Sequence, residues 1–481
     1  MKKPWTAFMI LLATAQLAAG APATVVPPSS YPLSLEGYVR VVLKQSDRSL
    51  VAYNNFQNST LSLGITSRSL LAPSLDIESQ VTRNRTDVNS NVTTSENAAG
   101  AATLSQPLFL SGGRLSASYG QSTSRFETDP SIVSHSYTRP AYSASLTQPI
   151  PIFVGNSDLR SWKRARTSYD IAQNSYRREM QSIESDARAQ YYDLLLKDAQ
   201  LDVELVKSKS SRRAHEITKA LVDGGRLPGI ELARSNLRLQ QDIRRLKNAQ
   251  TLLQQSINQA LQFASLQIDS KIELTSKLDY QKLTINLEKL IETALKHRPD
   301  YLAAQRQLEL SELDVKDTVE ENNLRLSAIA TVARTDTGTG LPPDTVTKSW
   351  SGGLNLSWPI FNSGITRLRG QSARNNLENA RVSFRGFERN IRTQVTNAYL
   401  DVRRTEQQLD DLQSSRAQAR QSVEAVRIRY QNGRDRLLDV FDSEQQLRDL
   451  ELEYLNIVIS ANLAQDRLAL LIGCPLTEVS K

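Results

Sequence analysis

A turn between two long helices is encoded at residues 429–442, which read RYQNGRDRLLDVFD. Asn432 and Gly433 are residue types that adopt the left-handed conformation in which helices commonly end. No proline occurs from Ile360 to Cys474, and helix interiors exclude proline because it removes a hydrogen bond and clashes with the preceding turn. The sequence around Gly433 therefore predicts two long antiparallel helices joined at a glycine turn.

The same organisation occurs 208 residues earlier, which indicates an internal repeat. At this offset the segment 151–153 aligns with 359–361, both Pro-Ile-Phe, and Gly225 aligns with Gly433. A single proline, Pro228, interrupts the corresponding helical stretch, just after its glycine turn. Each half is expected to contain a helical hairpin whose first helix of about 70 residues reaches roughly 100 Å.

Between the helical stretches, alternation of apolar and polar residues predicts strands with one apolar face. Leu75, Ile77 and Val81 alternate with polar residues in the first half, and Leu354 and Leu356 do so in the second. No run of 18 apolar residues follows the N-terminal segment, so a mature chain that spans a membrane must do so as a β-barrel. One protomer would hold too few strands to close a barrel, which predicts an oligomer.

The first half has about 43 more residues than the second between its first strand and its long helix, because the strands align at an offset of 251 instead of 208. We expect this excess to form an additional transmembrane hairpin over roughly residues 98–126, with about 12 residues per strand. The turn would lie at 111–113, and 86–97 and 127–138 would be polar outward loops. Three protomers would then give 18 strands. The alternative is an extracellular flap or an extended surface loop.

Composition excludes several classes of function. The chain has 481 residues, a formal charge of +8 and one cysteine, Cys474, so neither a disulfide framework nor a cysteine-based metal site is expected. There is no phosphate-binding glycine loop and no nucleophile motif, which predicts no enzyme activity, no cofactor and no metal site. A basic cluster of Arg160, Lys163, Arg164 and Arg166 is expected to be a solvated helix face or a contact with anionic lipid, rather than a nucleic-acid site.

The N-terminus has the pattern of a secretory signal peptide over residues 1–23. Two lysines precede an apolar segment, and small residues follow, so cleavage after Gly20 and cleavage after Ala23 both fit. The alternative is an uncleaved anchor helix, which the shortness of the apolar run disfavours.

The patterns divide the mature chain into two repeats, a linker and a tail. The first repeat spans 31–263 and the second spans 285–474, with a linker at 264–284 and a tail at 475–481. The expected parts of the repeats are strands over about 74–150 and a helical hairpin over 156–263 in the first, and helices over 285–323, strands over 326–360 and a hairpin over 364–473 in the second.

These segments resemble the TolC family of outer-membrane channels over nearly the whole mature chain. The strongest resemblance is the motif at 429–442, and a weaker one is GRLPGIE at 225–231. The strand-to-helix segments QPLF at 106–109, QPIP at 148–151 and WPIF at 358–361 are also similar to that family. The resemblance implies a mainly α fold with a β membrane part. Long helical hairpins would form a periplasmic α-barrel, and strands from three protomers would form one outer-membrane β-barrel.

The resemblance also implies a periplasmic gate at the hairpin tips. Asp439 and Asp442 match acids at the constricted entrance, and they lie three residues apart on one helix face. In a trimer, six such carboxylates would attract cations and oppose anions. The alternative is that Asp439 is a helix-start acid favoured by the helix dipole and that Asp442 is merely solvated.

Two further gate positions follow from the resemblance. Tyr430 matches a residue that latches the closed tip, although it could equally be a helix-end packing residue. Glu231 matches an acid whose basic partner in the family falls on Asp435 here, so Arg434 or Arg436 would have to replace that partner. The turns themselves are expected to dock an adaptor protein, through Gly224, Gly225, Arg226, Leu227, Pro228, Asn432 and Gly433.

The function that the resemblance implies is passive export through the outer membrane. The first expectation is the channel of a tripartite system that conducts drugs, small molecules or metals out of the cell. The alternatives are the duct of a type I protein secretion system and a non-conducting periplasmic coiled-coil scaffold. Expected partners are two further copies in a homotrimer, a periplasmic adaptor (membrane fusion) protein, an inner-membrane pump or ABC exporter, and outer-membrane lipid. No nucleic acid is expected.

Overall fold

A computed structural model of the chain shows helices and strands in the expected alternation. The structure describes residues 30–88, 91–129, 135–152, 155–267, 271–275, 279–282, 286–321, 323–337, 345–431 and 436–476. The predicted signal peptide at 1–23 lies outside these residues. The elements in chain order are β1 Ser30–Leu33, α1 Leu35–Gln45, α2 Asp47–Leu71, β2 Ser74–Val88, β3 Asn91–Leu108, β4 Gly113–Asp129, β5 His135–Ile150, α3 Ser157–Asp223, α4 Gly229–Phe263, β6 Lys271–Leu274, α5 Leu287–His297, α6 Pro299–Glu320, β7 Arg325–Thr337, β8 Thr345–Ser357, α7 Ile365–Gln431 and α8 Leu437–Ile472.

Several helices begin at residues that satisfy the free backbone N–H groups of the first turn. The Ser34 hydroxyl accepts from Gly37 N at 3.2 Å, and the Ser46 hydroxyl accepts from Ser49 N at 3.2 Å. Asn156 caps α3 by accepting from Asp158 N at 2.9 Å. The long helices α3 and α7 each contain 67 residues, so each reaches about 100 Å at 1.5 Å per residue.

The six long strands form one antiparallel sheet in the order β2-β3-β4-β5-β7-β8. The extra hairpin predicted from the 43-residue excess is confirmed, because β3 and β4 lie inside this sheet between β2 and β5. The predicted lengths were wrong: β3 has 18 residues and β4 has 17. The segments 86–97 and 127–138 were expected to be loops, but most of their residues belong to strands. Polar residues there continue the hydrogen-bonded pairing of the strands beyond the part of the sheet that has an apolar face.

The two faces of this sheet differ in polarity along the whole width. One rung of register partners, Leu75, Leu104, Ala117, Ala144, Val332 and Trp350, is apolar on all six strands. The next rung is Asp76, Thr103, Ser118, Ser143, Ala333 and Ser349, which is polar apart from one alanine. Ile77 is 78% exposed and Trp350 is 83% exposed, so the apolar face is uncovered in the protomer. Such a face suits lipid.

Each repeat has its own hydrophobic core where short helices pack on the long ones. The first core contains Ile183, Ala187 and Leu194 of α3, and the second contains Ile391 and Val395 of α7. Ile183 and Ile391 are related by the 208-residue offset, so the repeat is preserved in the packing. In the first core the Tyr38 hydroxyl donates to the Ala260 carbonyl at 2.9 Å.

Three residues of the basic cluster on α3 pair with acids of α6, while the side chains of Lys163 and Arg166 stay 52% and 51% exposed, as expected for a solvated helix face. Arg160 Nε lies 2.8 Å from Asp317, and Arg160 also contacts Glu320. Arg164 binds Asp317 as well as Asp314. Lys163 pairs with Glu309 at 3.3 Å, and Arg166 pairs with Asp170 at 3.4 Å. The pairs of Arg160, Lys163 and Arg164 join the first repeat to the second just below the sheet.

Helix α8 is the one helix among the described residues whose length and composition would also suit a membrane span, with a hydropathy of 1.3. Its apolar residues have another use in this fold, since Ala461 and Leu468 are fully buried. Asp466 lies within the same stretch and faces Arg188 of α3. We therefore assign α8 to the helical hairpin.

Candidate functional site at the hairpin tips

The first tip is a glycine turn between α3 and α4. Gly225 has φ +70°, the left-handed conformation that glycine adopts without steric cost. The Arg226 N–H donates to the Leu221 carbonyl at 2.8 Å, and the Gly225 N–H donates to the Val222 carbonyl at 2.9 Å. These two bonds satisfy carbonyls at the end of α3. Pro228 then precedes the first residue of α4.

The remaining predicted residues of the first tip lie in the same turn. The Gly224 N–H donates to the Ala220 carbonyl at 3.0 Å and ends α3. The Leu227 N–H donates to the Leu221 carbonyl at 3.3 Å, and Leu227 is half-buried. Space around the Gly225 Cα is open, so the turn presents an accessible surface.

The second tip lies between α7, which ends at Gln431, and α8, which begins at Leu437. The predicted site residues Asn432, Gly433 and Arg434 lie outside the described residues. Arg436 is exposed and occupies the position before α8. The equivalence of the two glycine turns consequently rests on the sequence repeat.

Asp439 and Asp442 are both exposed on α8, while Val440 and Ser443 between and beyond them are buried. The Asp439 carboxylate accepts the Arg436 backbone N–H at 3.0 Å, so this residue caps the start of α8. That is the helix-start position which the alternative interpretation gave it. The two carboxylates lie on the face of α8 that the protomer leaves uncovered.

Tyr430 lies where the two hairpins meet. Burial raises the pKa of the Tyr430 hydroxyl, Thr218 of α3 lowers it, and the charge of Glu231 of α4 raises it. Among the described residues this buried hydroxyl has no hydrogen-bond partner; the Thr218 hydroxyl is near but already donates to the Ala214 carbonyl at 2.8 Å. Tyr430 and Glu231 are therefore brought together from different repeats, without a direct bond.

Glu231 has a partner that the sequence did not indicate. Its carboxylate accepts from Arg234 Nη1 at 2.7 Å, one turn along α4. The proposed replacement partners do not form this bond in the described part of the tip, where Arg436 contributes its backbone N–H to Asp439. Arg434 lies outside the described residues.

Further from the tips, charged side chains are buried between the hairpins. We call Glu204, Lys207, Asp242, Arg427, Glu444 and Arg448 the polar belt. Lys207 of α3 pairs with Glu444 of α8, and their side chains are 6% and 10% exposed. Arg427 of α7 lies 2.9 Å from the same carboxylate, and Ser210 donates to it at 3.2 Å.

The rest of the polar belt surrounds this pair. Arg448 Nη1 donates to Glu204 Oε1 at 3.1 Å. Asp242 is completely buried and accepts from Ser211, with Arg245 at 3.3 Å. Burial alone would raise the pKa of Glu444, but Lys207 and Arg427 outweigh it and hold that pKa below its ordinary value. Sequence analysis missed these residues because charged residues on a long helix look solvated when the neighbouring helix is unknown.

Comparison with known proteins agrees with this architecture. Residues 290–474 match the model of a family described as outer membrane efflux protein. No curated protein matches the sequence. Among solved structures, the CmeC outer membrane channel of Campylobacter jejuni has 16% identity and a TM-score of 0.69, over 91% of this chain and 85% of that chain.

Two other solved structures show the same fold. The outer membrane protein VceC of Vibrio cholerae has 13% identity and a TM-score of 0.68, over 92% of this chain and 96% of that one. The open state of the MtrE outer membrane channel of Neisseria gonorrhoeae has 15% identity and a TM-score of 0.69, over 93% and 90%.

Over more than nine-tenths of its length the chain has the fold of these solved outer-membrane proteins. The match to the outer membrane efflux protein family covers residues 290–474, which form most of the second repeat.

Proposed function

We propose that this chain forms the homotrimeric outer-membrane duct of a tripartite export system. A periplasmic adaptor and an inner-membrane pump would deliver drugs, small molecules or metals to it, and passage through the duct is passive. The observation that carries the proposal is the union of a membrane sheet and two hairpins of about 100 Å in one chain. Such helices are long enough to extend a membrane pore far into the periplasm.

Conductance separates this proposal from the scaffold alternative. Purified protein reconstituted in planar bilayers should show discrete single-channel currents, whereas a coiled-coil scaffold gives none. In cells, deletion should raise the accumulation of a pump substrate. A deletion that instead abolishes secretion of a protein, with unchanged accumulation of small substrates, would favour the type I secretion duct.

We further propose that Asp439 and Asp442 control the periplasmic entrance. Both are exposed next to the tip, and three copies would bring six carboxylates together, which favours divalent cations. Asp439→Ala/Asp442→Ala should relieve channel blockade by divalent and trivalent cations. Asp439→Asn/Asp442→Asn should do the same while keeping an acceptor for the Arg436 N–H, so it separates charge from capping.

The matched control for the gate is Glu424→Ala, which removes an exposed acid from α7 near the same end. It should leave blockade unchanged. If both Asp variants remain as sensitive to cations as the unmodified channel, these residues are not the entrance. The glycine turns, as the exposed ends of both hairpins, are the proposed adaptor-docking surface.

A further inference from the structure

We infer that the extra hairpin β3–β4 is part of the barrel wall, and that β8 of each copy pairs with β2 of the next copy to close an 18-stranded barrel. This rests on the proposed trimer. It concerns how many strands line the pore and where the pore restricts its substrates. Each edge strand of the sheet, β2 and β8, pairs with the opposite edge strand of a neighbouring copy of this chain.

The two edge strands of the sheet have the features of strands that pair with another chain. Strands β2 and β8 have 15 and 13 residues, contain no proline, and in the described sheet each pairs with a neighbour on one side only. Long unprotected edges expose free N–H and C=O groups that take up another strand. Direction alternates along the six strands, so β8 of one copy meets β2 of the next in antiparallel orientation.

The polarity of the sheet places β3 and β4 in the wall. In the apolar rung these strands contribute Leu104 and Ala117, and in the polar rung they contribute Thr103 and Ser118. The Ser118 hydroxyl also bonds to that of Ser143 on β5, at 2.6 Å. A hairpin folded into the pore would instead be polar on both faces. The alternation on β3 and β4 is that of strands between lipid and water.

The dimensions favour 18 strands over 12. With strands about 4.8 Å apart and tilted about 40°, an 18-stranded barrel is about 36 Å across between backbones and a 12-stranded one about 24 Å. Below the sheet α2 packs on α3, α3 on α6, and α6 on α7, so three copies supply a ring of four helices each. Twelve helices spaced about 8–10 Å apart give a ring about 31–38 Å across. The wider barrel therefore fits the helical ring without a taper.

The inner face of such a barrel would select little. The polar rung carries hydroxyl groups, one alanine and a single charged residue, Asp76, and these side chains are short. Barrels of 16–18 strands already leave an aqueous channel. Restriction by size then falls to the periplasmic tip, while Asp76 and, two residues along β2 on the same face, Glu78 give the inner face a negative charge.

Thiol accessibility tests the position of the hairpin in the intact protein. In a Cys474→Ser background, Thr103→Cys on the polar rung should react with a membrane-impermeant maleimide at least about tenfold faster than Ala102→Cys on the opposite face. Ser143→Cys and Ala144→Cys of β5 are the matched controls for the same two faces. Equal and fast labelling of Ala102→Cys would place the hairpin in water and overturn the inference.

Edge pairing and barrel width are tested separately from channel activity. Glu78→Cys on β2 combined with Gly353→Cys or Asn355→Cys on β8 should give disulfide-linked dimers and trimers on oxidation. Glu78→Cys with Ser118→Cys, separated by β3, should not. Electron microscopy of the solubilised trimer should show a barrel about 36 Å wide, and deletion of residues 91–129, which returns the chain to four strands, should narrow it to about 24 Å.

The outcomes separate the inference from the proposed function. A conducting trimer with a narrow barrel, or one without β2–β8 cross-links at any tested register, refutes the 18-stranded wall and leaves the export duct intact. A protein that neither forms trimers nor conducts refutes both.

Discussion

The polar belt gives a quantitative prediction, because Glu444 neutralises the buried cation Lys207 and also pairs with the half-exposed Arg427. Glu444→Gln leaves Lys207 and Arg427 without a counter-charge in a site where Lys207 is 6% exposed. Removing one partner of a buried ion pair costs about 3–5 kcal/mol. We expect this loss to appear as easier separation of the two hairpins near the tip.

Native-state hydrogen exchange is the appropriate assay, because it reports local opening without requiring the whole trimer to unfold in one step. Amides of α3 and α8 beside the polar belt should exchange about 10²–10⁴-fold faster in Glu444→Gln, since 1.36 kcal/mol is a factor of ten. Asp410→Asn breaks the pair with Lys282, whose members are 53% and 55% exposed, and should change protection by less than about tenfold.

A double variant tests the physical reason. Lys207→Met/Glu444→Leu removes both charges and should recover most of the protection, because apolar pairs of similar size replace buried ion pairs at little cost. Low pH should have the same effect as Glu444→Gln. The pKa of Glu444 is lowered in the folded chain, so the stabilisation from its charge is present above the ordinary pKa of 4.5 and is lost as the pH falls below that value. If the double variant exchanges as fast as the single one, lost packing and not unpaired charge explains the effect.

Three further expectations follow from individual side chains. Burial raises the pKa of Asp466 from 3.8 to about 6, so its folded form holds the proton more tightly and stability falls as the pH rises from about 4 through 6. Asp466→Asn should remove that dependence and stabilise the chain at pH 7 by no more than about 3 kcal/mol in pH-dependent denaturation; an unchanged pH profile contradicts this. Gly225→Val forces a β-branched residue to φ +70°, which costs about 1–2 kcal/mol. This variant should abolish efflux while trimers still assemble. The control Gly229→Val, at a position with open space and no positive φ, should retain efflux. Tyr38→Phe removes the 2.9 Å bond to the Ala260 carbonyl, which keeps the Ala264 N–H as a donor. It should cost about 0.5–1.5 kcal/mol, seen as a lower Tm; an unaltered Tm would mean that water replaces the hydroxyl.

Periodicity and proline placement were enough to predict the helices, the six strands and the repeat. They worked because each depends on local backbone chemistry or on spacing along the chain. Strand ends were predicted less well, since polar residues in β3 and β4 continue the hydrogen-bonded ladder outside the apolar zone. Polarity marks where lipid ends, and not where the strand ends.

Charge pairing across the repeats was the part that sequence could not provide. Arg164 is 150 residues from Asp314 and 153 from Asp317. Lys207 is 237 residues from Glu444. Neither pair recurs at the 208-residue offset, so the repeat gave no signal. At the tip, Asp439 was anticipated as either gate or cap, and its bond to the Arg436 N–H shows that capping is at least one of its roles.

The order of strands also has a consequence for how the protein is made. Strands β2 to β5 form a meander of consecutive hairpins, but β5 pairs next with β7, through partners such as Ala144 and Val332 that lie 188 residues apart in sequence. Contacts this distant form slowly. The emerging chain must therefore keep the outer edge of β5 from associating with other strands until the roughly 170 residues between β5 and β7, most of them helical, have followed it, which makes the first meander the segment most in need of a chaperone.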